Sequence, residues 1–185
     1  MHNDEFREIV REAQSAPSAL NTQPARWRRK GDTILIGCDP AAMLKVSDPN
    51  GVAAGLACGA AAEATILALS ARRMGAGFTD LWAQDDRATL PGLRLAARIT
   101  LEAQTDPDPL AAQLPKRFTH RGPYQPGPVD LYGWTRRDAV LVTDAARRGW
   151  LAEMHDRIMM AHLRRPEARR EVLSWLRLSP RHPRK

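Results

Sequence analysis

Ala16-Pro17-Ser18-Ala19-Leu20-Asn21-Thr22-Gln23-Pro24 is the stretch around which this chain is organised. Neither proline can continue a helix without losing a backbone hydrogen bond and clashing with the preceding turn. Each also biases the residue before it toward extended geometry. Between them stand short polar side chains that bond readily to local backbone or to a ligand. The stretch reads as a stiff, polar, exposed loop, the kind of segment on which binding residues are often carried.

Upstream, Phe6, Ile9, Val10 and Ala13 recur at i, i+3, i+4, i+7 and predict an amphipathic helix over residues 5–14, with Asn3 or Asp4 as its cap. Downstream, residues 26–30 and 33–38 flank Gly31-Asp32 and predict a β-hairpin. Its first strand is so basic that at least one face is expected to meet solvent or an anion.

Ser47-Asp48-Pro49-Asn50-Gly51 is a helix-start signal, and the run from Val52 to Ala71 is almost wholly apolar. Its length alone would suit a membrane span. Glu63 near its middle, and glycine and alanine in place of leucine and isoleucine, favour a buried central helix. Gly51, Gly55 and Gly59 recur every fourth residue and Ala62 continues the small face, which predicts a closely approaching partner helix. Gly75 is expected to stop the helix. Strands are expected over 78–84 and 95–101.

The segment 105–115, opened by Thr105-Asp106-Pro107-Asp108-Pro109, reads as a linker between halves at 1–104 and 116–185. Beyond it, Arg117 and Arg121 bracket Thr119, and two guanidiniums and a hydroxyl at this spacing can converge on a phosphate. A short strand is expected over 139–143. Asp144 is expected to cap a helix to about Leu163 with an apolar stripe of Trp150, Leu151, Met154, Ile158 and Ala161, and another helix should follow over 167–178.

Of the 185 residues, 43% are hydrophobic and 26% charged, ordinary for a globular domain. The net charge of +7 invites a nucleic-acid reading, but residues 164–185 hold eight basic and two acidic side chains, so most of it belongs to that end. No nucleic-acid or membrane partner is expected. The N-terminus lacks a signal-peptide pattern, and Cys38 and Cys58 are far apart with no CxxC spacing. Reduced thiols in a cytoplasmic protein, with no metal site, are the expectation.

The opening stretch resembles the APSxxNxQPW signature of the nitroreductase family of flavoproteins. Asp48-Pro49-Asn50-Gly51, Cys58-Gly59-Ala60-Ala61 and Gly75 resemble its Acg-like subgroup more narrowly, and Arg117-Phe118-Thr119-His120-Arg121-Gly122-Pro123-Tyr124 resembles that subgroup's RxTxRxPY segment. The resemblance implies an α+β fold, a nitroreductase-like α/β/α sandwich with a mixed, mainly antiparallel sheet. It implies two fused units that imitate a dimer, with FMN held between them. Arg117, Thr119 and Arg121 would contact the FMN phosphate and ribityl chain, while Pro17, Ser18 and Asn21 border the flavin from the opposite half. The glycine-lined helix would lie between the halves.

Such a protein passes electrons from NAD(P)H to a nitroaromatic, quinone or similar acceptor, and no side chain need act as nucleophile or metal ligand. Ala25 departs from the signature's tryptophan, and Trp27 is expected to take over part of its packing. The second half is expected to be incomplete, so a homo-oligomer is expected. The alternatives are a non-catalytic FMN-sequestering protein and an inactive homologue acting by association.

Overall fold

The computed structural model describes residues 1–120, 122, 123, 127 and 140–176. The chain divides into two compact units, one of residues 1–119 together with the segment from Glu171, the other of residues 120–170.

In the first unit, helix α1 spans Asn3–Ala13 and buries Ile9 and Ala13. Neither expected cap acts as one: Asn3 and Asp4 lie inside the helix, and His2 precedes it without a side-chain cap. Asp4 and Glu5 instead sit in the first turn, where the helix dipole favours negative charge.

Strands β1 (Ala25–Lys30) and β2 (Thr33–Cys38) form the expected hairpin, in register from Ala25 opposite Cys38 to Lys30 opposite Thr33. Gly31 takes a φ of +58° at the first turn position, which glycine alone adopts without strain. Helix α2 covers Val52–Ser70 and starts where the Asp48–Gly51 signal places it: buried Asp48 accepts the Ala54 N–H at 3.0 Å. Strands β3 (Gly75–Asp80) and β4 (Arg94–Glu102) complete an antiparallel sheet in the order β1-β2-β4-β3.

The third strand begins and ends earlier than its sequence pattern suggests. The helix is closed by Arg73 at φ +59°, with the Met74 N–H bonded to the Leu69 carbonyl, and not by Gly75. Gly75 is thereby free to open β3, where a Cβ would come within 2.2 Å of the Ala103 carbonyl oxygen. Leu81 leaves the ladder, and Trp82–Gln84 makes a short turn.

The core lies between α1, α2 and one sheet face. Ile34, Ile36, Ala97 and Ile99 meet an alanine-rich side of α2 that includes Ala54, Ala61 and Ala68. Small side chains there let the helix backbone approach the strands. Trp27 packs on this cluster and donates its indole N–H to Thr65 Oγ1 at 2.9 Å, while the buried Thr65 hydroxyl donates to the Ala61 carbonyl at 2.7 Å. Leu35, Leu81, Leu90 and Leu95 form a smaller cluster on the other sheet face. By length and apolarity α2 could cross a membrane, but half of it is buried within the chain and Glu63 is exposed. Helices and an antiparallel sheet around one core make the architecture α+β.

Residues 109–116 form a 3-10 turn that buries Leu114, and the Asp108 N–H before it donates to Ser70 Oγ at 2.7 Å. The Glu171 carboxylate also belongs to this unit, accepting the backbone N–H groups of Val46 at 2.9 Å and Ser47 at 2.8 Å. Burial alone would raise its pKa, but these donors outweigh burial and hold the carboxyl below the usual range of about 4.5. A lowered folded pKa stabilises above the unfolded value and loses that contribution as pH falls through the folded value. Glu171→Gln should therefore lower the melting temperature at pH 7, and the difference from the parent chain should shrink steadily below pH 4.5. An unchanging difference from pH 7 to pH 3 would remove Glu171 as the cause.

In the second unit, α3 runs over Ala145–Arg164, with Asp144 Oδ1 accepting the Arg147 N–H at 2.7 Å as a helix cap. The expected apolar stripe is not inward: Trp150 and Ile158 are 58% and 64% exposed, and no residue of α3 is buried. Residues 140–143 form no strand, and Ala139 lies outside the described residues. Helix α4, Pro166–Trp175, begins in this unit and from Glu171 belongs to the first; residues 177 and 178 of the expected helix lie outside the described residues.

Candidate functional site

The Pro17–Pro24 loop is held from both ends and closed on itself. Thr22 and Pro24 are buried, and the Pro24 carbonyl accepts the Asp39 N–H at 2.9 Å. Inside it, the Gln23 N–H donates to Ser18 Oγ at 2.9 Å, and Gln23 Nε2 donates to Asn21 Oδ1 at 2.8 Å and to the Ala16 carbonyl at 3.0 Å. Gln23 is thus the organising side chain, a role the sequence pattern did not single out. Pro17 and Asn21 remain exposed.

Leu20, Asn21 and Gln23 all have φ near +50°. Left-handed backbone costs about 1–2 kcal/mol per non-glycine residue, least for asparagine. Strain of this kind survives only where the surroundings over-determine it, and it clusters at ligand clamps.

Arg117 reaches this loop from far along the chain. Its Nε donates to the Ser15 carbonyl at 2.9 Å, at the loop's foot. That bond uses one of five guanidinium N–H donors, and no carboxylate among the described residues pairs with the rest. Thr119 follows two residues on, also exposed. Arg121 and Tyr124 lie outside the described residues. The structure therefore brings Arg117 to the foot of the loop that carries Pro17, half-buried Ser18 and exposed Asn21, and a cation near such polar groups suits an anion with hydroxyl groups.

A second feature lies between α2 and β3. A groove of about 530 Å³ is lined by Val52, Gly55, Leu56, Gly59, Phe78 and Trp82, with Asp80 among its few polar groups. Trp82 forms part of its wall and is pinned on several sides. The Arg94 guanidinium lies 3.8 Å from the centroid of the Trp82 ring, and Arg94 Nη2 donates to the Trp82 carbonyl at 2.6 Å. Arg94 Nε sits 3.1 Å from Asp85 Oδ1. The Trp82 N–H donates to Asp80 Oδ1 at 2.9 Å.

Trp82 explains the helical Gly55 and bears on Gly51, the residue before α2, whose φ of +72° already favours glycine. A Cβ on Gly55 would stand 2.9 Å from the Trp82 ring; one on Gly51 would meet Met43 at 2.8 Å and Trp82 at 3.3 Å. The close partner that sequence spacing assigns to another helix is, at these positions, an indole of the same unit. Gly59 is different: nothing lies within 4 Å of its added Cβ, beside Leu56 and Val52 at 72% and 62% exposure. Among the described residues, no three His, Cys, Asp or Glu groups converge in a way that could hold a metal ion.

No family model matches the chain. Two Mycobacterium tuberculosis proteins, from strains H37Rv and CDC 1551, each named "Putative NAD(P)H nitroreductase", are 26% identical to it over 175 residues, 91% of its length. The chain is similar in sequence to nitroreductases. It spans about half the length of these nitroreductase relatives, and the similarity supports the nitroreductase family. Among solved structures, a Desulfovibrio desulfuricans protein described as a putative nitroreductase in complex with FMN is 24% identical, with a TM-score of 0.47 over 66% of this chain and 87% of its own. A Clostridium acetobutylicum protein described as a putative NADH oxidase is 16% identical, with a TM-score of 0.49 over 76% and 90%.

Proposed function

We propose that the chain is an FMN-dependent NAD(P)H oxidoreductase of the nitroreductase family, in its Acg-like subgroup, reducing nitroaromatics, quinones or similar acceptors. The observation that carries this reading is the placement of Arg117 at the foot of the strained Pro17–Pro24 loop. The sequence similarity to the mycobacterial relatives supports it independently. The residues present fit the cofactor: Arg117 has unpaired N–H donors for a phosphate, and Thr119, Ser18 and Asn21 offer hydroxyl and amide groups for a ribityl chain. Arg121 is the second guanidinium of the set, and Pro17 supplies a rigid edge.

Bound FMN would supply the electron transfer between NAD(P)H and the acceptor. The chain's own residues bind and orient. Arg117 neutralises phosphate charge, and the Gln23-braced loop presents Ser18 and Asn21 in a fixed geometry. The two halves at 1–104 and 116–185, the linker 105–115 and a cytoplasmic location belong to the same reading.

A charge-assisted hydrogen bond contributes about 1.5–3 kcal/mol. Arg117→Ala should therefore weaken FMN binding roughly ten- to a hundredfold, measured by quenching of flavin fluorescence. A parent chain that takes up no FMN would overturn the proposal. Flavin uptake without NAD(P)H oxidation by any acceptor would leave a flavin-sequestering protein instead.

The open Gly59 face with Leu56, Val52 and Phe78 is proposed as the surface that meets a second copy of the chain. A charge placed in an apolar contact opposes association. Leu56→Asp should shift the chain to monomer in size-exclusion chromatography. A parent chain already monomeric at micromolar concentration would remove this part.

A further inference from the structure

Arg26 is the first cation of the basic strand β1, and its side chain turns back to the end of the Pro17–Pro24 loop. Its Nη1 donates to two carbonyls, that of Gln23 at 2.7 Å and that of Ala25 at 2.9 Å. Its Nη2 donates to Asp39 Oδ2 at 2.7 Å. One guanidinium thus joins the residues on either side of Pro24 to the residue that follows β2.

Asp39 closes the set. Its N–H holds the Pro24 carbonyl at 2.9 Å, and its other carboxylate oxygen, Oδ1, accepts the Ala41 N–H at 2.9 Å. The carbonyls of three successive residues, Gln23, Pro24 and Ala25, are therefore each held by Arg26 or Asp39.

Gln23 is the residue at stake. Its φ of +50° is left-handed, and a residue other than glycine keeps that conformation only where its surroundings over-determine it. Its N–H and side-chain amide tie it to Ser18, Asn21 and Ala16 from inside the loop. Arg26 fixes its carbonyl from outside. For overall stability the ion pair counts for little, because the Arg26 and Asp39 side chains are 46% and 25% exposed. Its effect is local, and it depends on a planar fork that reaches carbonyls and carboxylate together, which a lysine ammonium does not reproduce.

We propose that Arg26, held by Asp39, is a positioning residue of the candidate site. It locks Gln23, and through Gln23 the placement of Ser18 and Asn21, without touching the ligand. What this means for FMN rests on the oxidoreductase reading; the order of the loop does not.

The test is hydrogen exchange of the full chain without flavin, read by mass spectrometry, in the parent, Arg26→Met and Arg26→Lys. The amides of Asn21, Thr22 and Gln23, bonded within the loop, should exchange about tenfold faster in both variants, the lower end for losing a charge-assisted bond. The amides of Ile34, Ile36 and Ile99 in the sheet and the urea midpoint should be unchanged. Parent-like exchange of the loop in Arg26→Met would overturn the proposal. So would full protection in Arg26→Lys, which would make charge and not the fork responsible. Equal acceleration in loop and sheet would also overturn it, since Arg26 would then support the fold at large. A second arm titrates FMN by flavin fluorescence. Arg26→Met should bind it about tenfold more weakly than the parent. Undiminished affinity in a variant with a loosened loop would overturn the link to the site. A parent that takes up no FMN would remove the oxidoreductase reading and leave the exchange result standing.

Discussion

Trp82→Ala is expected to lower the unfolding free energy of the first unit by about 3 kcal/mol, the lower end for truncating a core aromatic, because Trp82 is only half-buried. The loss has three sources. The ring fills the space that Gly51 and Gly55 leave open, so its removal creates a cavity against α2. The Arg94 guanidinium loses the face on which it stacks. The turn after β3 loses the side chain that holds it to the helix. Urea unfolding followed by circular dichroism should show a lower midpoint with an unchanged slope. A loss below about 1 kcal/mol, ordinary for a surface substitution, would mean that the indole does not anchor this edge of the sheet.

Gly75→Ala should cost a similar amount, about 3 kcal/mol, at the upper end for overpacking. The added methyl meets the Ala103 carbonyl oxygen at 2.2 Å, and a backbone atom cannot rotate aside as a side-chain end can. Relief requires β3 to part from the end of β4, where Gly75 pairs with Glu102. Gly59→Ala is the internal control. It adds the same methyl into open space on a helix, where alanine is favoured over glycine by about 1 kcal/mol, so it should be neutral or stabilising in the monomer. Equal destabilisation by the two substitutions would contradict the packing described for β3.

These contrasts show where local pattern suffices. The hairpin was readable because Gly31-Asp32 separates two strand-like runs by the two residues such turns use. The start of α2 was readable because Asp48 and Gly51 carry local chemistry. The edges of β3 were not. Its sequence resembles a strand from Phe78 onward, yet the ladder is set by what lies opposite on β4, and Gly75 is admitted by a carbonyl twenty-eight positions away. The glycine spacing of α2 suggested a partner helix, whereas the neighbour at Gly55 is the Trp82 indole, Gly51 meets Met43 and Trp82, and nothing lies within 4 Å of a Cβ at Gly59. Of the candidate site, the stiff polar loop between Pro17 and Pro24 was legible from residue type. The bond from Arg117 to Ser15 spans 102 positions and has no local signature. The stripe on α3 shows the converse: periodicity indicates a face that could be buried, and tertiary structure decides whether it is.

The strand order β1-β2-β4-β3 also sets a schedule for synthesis. Of the four strands described, β4 is the last made, and it stands between β2 and β3. Until residue 102 has left the ribosome, the nascent chain can hold a hairpin and a long apolar helix, but β3 has no strand to pair with. Ile34 and Ile36 would meanwhile lack Ile99 and Ala97, their partners across the sheet. The first hundred residues thus pass through a stage with exposed core surface, the stage at which chaperones act on slow, non-local sheets. Stalling translation just before Arg94 should yield a protease-sensitive chain, and stalling well beyond Glu102 a resistant one.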